Sequence, residues 1–277
     1  MTLKEKTISG LLWSAIDSVA NQSIQFVIGI ILARLITPRE FGLIGMITIF
    51  IAISQTFINS GFSSALIRKK ECTQADYSTV FYYNMAMGIV LYIVLYLSAG
   101  VISSFFDEPE LKWLVRVLGL DLVIRSFTLI QGTTLTKRVD FKLQTKIAVV
   151  SSILSGVIGI LMAVEGFGVW SLVARSLTAS IISSILLWFW NSWKPSAVFS
   201  RESFKELFGF GSKLLISRLL DTVYNNIYYL IIGKYFAANE LGYYTRAKSF
   251  NDMPSKNLNT IMSRVTYPVL AQLQDNQ

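Results

Sequence analysis

The chain has 277 residues, of which 53% are hydrophobic and 15% charged, with mean hydropathy +0.52 and a net charge of +8. Soluble domains carry about 25% charged residues, so this balance excludes a soluble enzyme. The absence of histidine and the single Cys72 exclude an internal disulfide, the usual zinc sites and a Ser/His/Asp or Cys/His triad.

Eight hydrophobic segments follow one another over 11–36, 41–67, 79–106, 111–135, 145–165, 168–193, 211–236 and, more weakly, 240–270. Most exceed the roughly 18 residues that mark a membrane-spanning helix. Turn-forming stretches separate them, among them Thr37-Pro38-Arg39-Glu40, Asp107-Glu108-Pro109-Glu110 and Glu165-Gly166-Phe167-Gly168. Met1–Ser9 is polar and no small-residue cleavage site follows, so the first segment is expected to be retained as a helix.

With the N-terminus in the cytoplasm, the inside loops hold Lys4, Lys6, Arg68, Lys69, Lys70, Lys137, Arg138, Lys142, Lys146, Lys194, Arg201, Lys205 and Lys213. The outside loops hold only Arg39, Lys112 and Lys234. This is a positive-inside pattern, which accounts for most of the basic excess and sets nucleic acid aside as a partner. The acidic Asp107, Glu108 and Glu110 fall outside, either as a solvated turn or as the catalytic loop of a membrane glycosyltransferase. So short a loop favours the turn.

Charges inside spans are costly, about 2.5–3.5 kcal/mol each at a helix centre on insertion scales. In the fourth segment Asp121 and Arg125 stand at i, i+4 and are placed to pair. Arg116 lies nearer the outer end, where it can snorkel. Arg175 in the sixth segment has no acid within a turn of its own helix. Arg218 and Asp221 in the seventh stand at i, i+3. Ser152, Gly156 and Gly159, and Ser176, Ser180 and Ser184, read as helix-packing residues. Trp188, Trp190 and Trp193 read as an interfacial belt, and Pro254 as a kink in the weak last segment.

A shift of 200 positions lays Arg34 on Lys234, Glu40 on Glu240, Gly42 on Gly242 and Asn59 on Asn259. Asp17, Asn21 and Gln25 form one polar stripe down the first helix, and Ser217, Asp221 and Asn225 form its counterpart on the seventh. A matched pair of stripes is expected of a parallel repeat with its axis along the membrane normal.

The stretches Ser9-Gly10-Leu11-Leu12-Trp13-Ser14, Ala33-Arg34-Leu35-Ile36-Thr37-Pro38, Glu40-Phe41-Gly42-Leu43 and Asn59-Ser60-Gly61-Phe62 carry a family resemblance. So do Leu241-Gly242-Tyr243-Tyr244-Thr245-Arg246-Ala247 and Tyr267-Pro268-Val269-Leu270. Together they resemble the Wzx-type oligosaccharide flippases of the multidrug/oligosaccharidyl-lipid/polysaccharide (MOP) exporter superfamily. The resemblance implies an all-α integral membrane fold of two six-helix lobes that open alternately to either side. It gives a complete N-terminal lobe over 1–200 and the first two helices of a second over 201–277, as in a C-terminally truncated transporter. It also implies translocation of undecaprenyl-pyrophosphate-linked oligosaccharide repeat units in a bacterial cytoplasmic membrane, alongside a polysaccharide polymerase and glycosyltransferases. No enzymatic activity, cofactor or metal is expected, apart from coupling to H+ or Na+ through Asp17, Asp121 or Asp221.

On this reading Arg125, Arg175 and Arg218 line a water-filled cavity and hold the pyrophosphate, which the forked guanidinium suits. Asp17, Asn21, Gln25, Asp121, Asp221 and Asn225 complete the substrate-facing set. The competing reading makes these charges structural pairs between helices. A drug/cation antiporter of the same superfamily would favour acidic cavity residues, and a membrane glycosyltransferase would need larger loops.

Overall fold

The computed structural model describes residues 20–59 and 61–251, and among them every regular element is a helix. In chain order these are α1 (Ala20–Leu35), α2 (Pro38–Asn59), α3 (Phe62–Arg68), α4 (Gln74–Phe106) and α5 (Leu111–Ser126). There follow α6 (Leu129–Lys137), α7 (Phe141–Val164), α8 (Val169–Trp190), α9 (Arg201–Tyr235) and α10 over 238–251. Asp17 and everything beyond Asn251, including Pro254 and Asn259, lie outside the described residues.

Local chemistry sets the boundaries. Thr73 and Asp76 close a reciprocal capping box at the start of α4, and Asp107 ends that helix with φ 58°. The side chains of Asp140 and Ser200 accept from the backbone N–H of Leu143 and Ser203, which fixes the starts of α7 and α9. Pro38 takes the first position of α2, where its missing N–H costs nothing.

Three of these boundaries depart from the sequence expectation. The 41–67 segment breaks at Gly61, whose φ of +70° starts the separate α3. The 111–135 segment breaks at Phe127 and Thr128 between α5 and α6. The seventh helix begins at Arg201, not near 211, because its first turns are polar and carry no hydropathy signal.

Four stretches are long and apolar enough to cross a membrane: α2 with α3, α4, α7 and α8. Their outer faces expose Leu97, Val101, Leu161, Ile185 and Phe189, as a lipid-facing surface requires. The chain is a multi-pass membrane protein. Inside, Leu43, Met46, Ile102, Leu114, Leu118, Leu122 and Val173 join α2, α4, α5 and α8 into one core. Trp193 belongs to a second core with Phe62, Phe81 and Leu207, and its Nε1 donates to Gln74 Oε1 at 2.9 Å. Of the three tryptophans read as a belt, Trp193 is therefore buried, while Trp190 faces outward.

The loops segregate by charge. At the basic end Lys69 donates to Asp76 (3.2 Å) and Glu206 (2.8 Å), and Gln74 donates to the Lys194 carbonyl. Burial alone would lower the Lys69 pKa, but its bonds to Glu206 and Asp76 outweigh this and raise it. At the opposite, junction end Arg39 bridges to Glu108 (2.5 Å) and Glu110 (3.4 Å), and Lys234 to Asp107 (3.2 Å).

The 200-position offset recurs in the packing. A Cβ on Gly42 would lie 1.9 Å from the Ala238 carbonyl oxygen, and a Cβ on Gly242 would lie 1.8 Å from that of Pro38. The first turns of α2 and α10 thus cross through reciprocal contacts that only glycine permits. Farther along, Thr56 Oγ1 meets Thr222 Oγ1 at 2.9 Å and fixes α2 against α9.

Candidate functional site

Small residues let the helices approach closely enough for polar side chains to meet. A Cβ on Gly159 would sit 2.9 Å from Arg175 Cβ, and a Cβ on Gly156 would overlap Ile28. These glycines seat α7 against α8 and α1. Within that contact Ser152 Oγ donates to Asn21 Oδ1 (3.0 Å) and accepts from Gln25 Nε2 (3.3 Å). The Gln25 side-chain oxygen in turn accepts a short bond from Arg175 Nη2. The polar stripe of α1 is therefore turned into the bundle, where it orients a guanidinium.

A second network forms around Asp121, which is 4% exposed. Its carboxylate accepts from Arg125 Nε at 2.6 Å, from Gln55 Nε2 at 3.3 Å and from Ser180 Oγ. The Asp121–Arg125 pair foreseen from the i, i+4 spacing is present. Gln55 and Ser180 were not singled out as its partners, although Gln55 and Asn59 stand at i, i+4 in an apolar run, which is a legible signal.

Arg125 and Arg175 line one cavity of about 410 Å³, together with Gln25, Phe41, Ser155, Ser176, Thr245 and Arg246. Arg246 donates from Nη1 to the Gly29 carbonyl at 3.0 Å and lies 3.6 Å over the Phe41 ring. Its Nη2 is buried without a partner among the described residues. No carboxylate is among the described residues of this lining. Asp121 compensates Arg125, whereas among the described residues Arg175 and Arg246 are bonded only to neutral acceptors, and they repel one another. Forked donors in such a lining can accept an anion with several oxygens.

The other predicted residues fall elsewhere. Arg218 is exposed and donates to Ser64 Oγ at 2.9 Å instead of pairing with Asp221. Asp221 and Asn225 lie on the same exposed stretch of α9, and Asn225 Nδ2 bonds back to the Asp221 carbonyl. The structure thus brings Arg246, not Arg218, to the cavity shared by Arg125 and Arg175. Arg116 is also apart, with its guanidinium carbon 4.4 Å from the Tyr96 ring centroid and 5.1 Å from that of Trp113.

This architecture is that of the MOP/MATE transporters. It superposes on a MOP superfamily transporter from Pyrococcus furiosus with a TM-score of 0.62 at 18% identity, covering 95% of this chain and 65% of that one. It superposes on MATE in its bent conformation with a TM-score of 0.57 at 16% identity, over 98% and 66%. The chain belongs to the polysaccharide biosynthesis protein family, whose profile matches residues 31–277. Among its relatives, the teichuronic acid biosynthesis protein TuaB of Bacillus subtilis is 32% identical over 98% of this chain. The lipopolysaccharide biosynthesis protein WzxC of Escherichia coli is 27% identical over 100% of it. The succinoglycan biosynthesis transport protein ExoT of Rhizobium meliloti is 23% identical over the same span. The chain spans 56% of the length of each of these three relatives.

Proposed function

We propose that this chain is the substrate-binding part of a flippase that moves prenyl-diphosphate-linked oligosaccharide repeat units across a bacterial cytoplasmic membrane. Residues 1–200 form a first lobe and 201–277 begin a second, with the basic end in the cytoplasm as the positive-inside rule requires. The observation that carries this reading is the cavity holding Arg175 and Arg246, two guanidiniums with no compensating carboxylate on its described lining. A diphosphate supplies the missing negative charge and enough acceptors for forked donors. A cation carrier would meet electrostatic repulsion there, so the antiporter reading is disfavoured. The family and the biosynthetic names of the relatives support a lipid-linked glycan as cargo, with polymerase and glycosyltransferases as pathway neighbours. In this reading Asp121 is the buried carboxylate through which H+ or Na+ coupling would act on Arg125.

The test is binding of undecaprenyl diphosphate to the purified protein in nanodiscs, compared with Arg175→Gln/Arg246→Gln. Loss of two charge-assisted contacts, each about 1.5–3 kcal/mol, predicts at least about a hundredfold weaker Kd. A double variant that binds the lipid as tightly as the parent overturns the reading. The corresponding cellular assay is surface polysaccharide in a strain dependent on this transporter.

A further inference from the structure

A second cavity of about 460 Å³ adjoins the first on the side toward the basic end, between α2, α3, α5, α6, α7 and α8. Arg125 is the one described residue common to both linings. The two cavities differ in charge. Among the described residues the first exposes guanidiniums that no carboxylate of its lining compensates, whereas the only charged group of the second is Arg125, already neutralised by Asp121. The rest of its polar lining is made of amides and hydroxyls, including Gln55, Asn59, Thr133, Thr136 and Ser183.

Part of that polarity is uncommitted. Asn59 spends its Nδ2 on the Gln55 carbonyl and Gln55 its Nε2 on Asp121, so the side-chain oxygens of both have no bond among the described residues. Ser183 Oγ makes none either. These are donors and acceptors without net charge, interleaved with Ile58, Leu129, Ile147 and Leu187. A neutral ring bearing hydroxyls on its rim and C–H groups on its faces matches such a wall. The volume is within the roughly 300–1,000 Å³ of small-molecule sites.

We infer that this second cavity is a sugar subsite, taking the neutral glycosyl unit next to the diphosphate held by Arg175 and Arg246. The inference rests on the anion reading above and extends it: Arg125 stands at the linkage between phosphate and sugar. Recognition is then split, with charge in one chamber providing affinity and neutral hydrogen bonding in the other distinguishing glycosylated from bare lipid.

Gly132 offers a way to close the second chamber. It lines that cavity, and a Cβ there would meet nothing within 4 Å, so Gly132→Leu adds bulk to open space without touching backbone. Two probes are measured against the protein in nanodiscs: undecaprenyl diphosphate and undecaprenyl diphosphate N-acetylglucosamine. The parent protein is expected to prefer the glycosylated probe by about tenfold, the worth of one or two hydrogen bonds. Gly132→Leu is expected to abolish that preference. Ser183→Ala, which removes one unbonded hydroxyl and no volume of the fold, should reduce it several-fold. Equal binding of the two probes by the parent, or a preference that survives both substitutions, overturns the subsite. If the parent binds neither probe, the anion reading fails and the subsite with it; binding of the bare probe without discrimination condemns the subsite alone.

Discussion

Arg125 and Arg175 sit on packed helices and face one cavity, yet their surroundings are opposite. Arg125 pairs with a buried carboxylate, Asp121, which a serine and a glutamine also hold, and the local charge sums to nothing. Around Arg175 the α1 stripe supplies Gln25, an amide that orients the guanidinium without cancelling it. A neutralised cation holds helices together; an oriented but uncancelled one is available to a ligand. Residue type alone does not distinguish these roles. The partner does.

The contrast breaks most readily at Asp121. Removing one member of a buried pair leaves an uncompensated charge and costs about 3–5 kcal/mol. Arg125 is 53% exposed on its side chain, so the lower end of that range applies. Asp121→Ala should therefore lower stability in detergent by about 3 kcal/mol, and Asp121→Ala/Arg125→Ala should recover part of the loss. Thermal unfolding of the parent, both single variants and the double variant gives the coupling. An Asp121→Ala protein that melts with the parent would show that Arg125 is no more structural than Arg175.

Arg175→Gln should give the opposite split. It removes a partly buried cation that no carboxylate compensates among the described residues, so stability should stay within about 1 kcal/mol of the parent. Binding of undecaprenyl diphosphate should fall by about 10- to 100-fold, the equivalent of one charge-assisted contact. Measuring both quantities on one preparation sharpens the comparison. A large stability loss with intact binding would assign Arg175 to packing.

Much of this was legible in the sequence, for identifiable reasons. Asp121 and Arg125 announce their pairing because i, i+4 neighbours must meet on any helix. The α1 stripe of Asn21 and Gln25 is likewise a property of one helix. What stayed hidden depends on tertiary contact. Nothing in the spacing of Arg175 names Gln25 on α1, or places Arg246 from α10 at the same cavity while Arg218 turns to Ser64. Hydropathy passed through the breaks at Gly61 and at Phe127–Thr128 because the flanking residues remain apolar. It missed the start of α9 at Arg201, where the signal was the Ser200 cap. Trp193 looked interfacial because a buried and an interfacial tryptophan have the same composition. Packing against Phe62, Phe81 and Leu207, with Gln74 as the indole's acceptor, separates them.

Smaller changes probe the space beside Arg125. Gly132 lies in helix α6 with open room at its Cβ position, so Gly132→Ala should raise stability by about 0.5–1 kcal/mol through helix propensity alone. A destabilised Gly132→Ala protein would mean that the second chamber is filled rather than open.

The smallest effect belongs to a third arginine. Arg39 faces Glu108 and Glu110 at the junction end, with 43% of its side chain exposed. Like Arg125 it is paired, but its carboxylates Glu108 and Glu110 are 18% and 54% exposed where Asp121 is 5%. Water already screens both partners, so the bond exchanges one solvated state for another. Arg39→Ala should therefore cost at most about 1 kcal/mol, and added salt should shrink even that, since the Debye length falls from about 10 Å at 0.1 M to 3 Å at 1 M. The Asp121→Ala penalty, set in a buried network, should persist at the same ionic strength. If unfolding in 1 M salt leaves the Arg39 contribution intact, the pair is less accessible than its exposure indicates. Burial of the carboxylate would then cease to be what separates the Arg39 pair from the Arg125 pair, and the identity of the acceptor alone would remain.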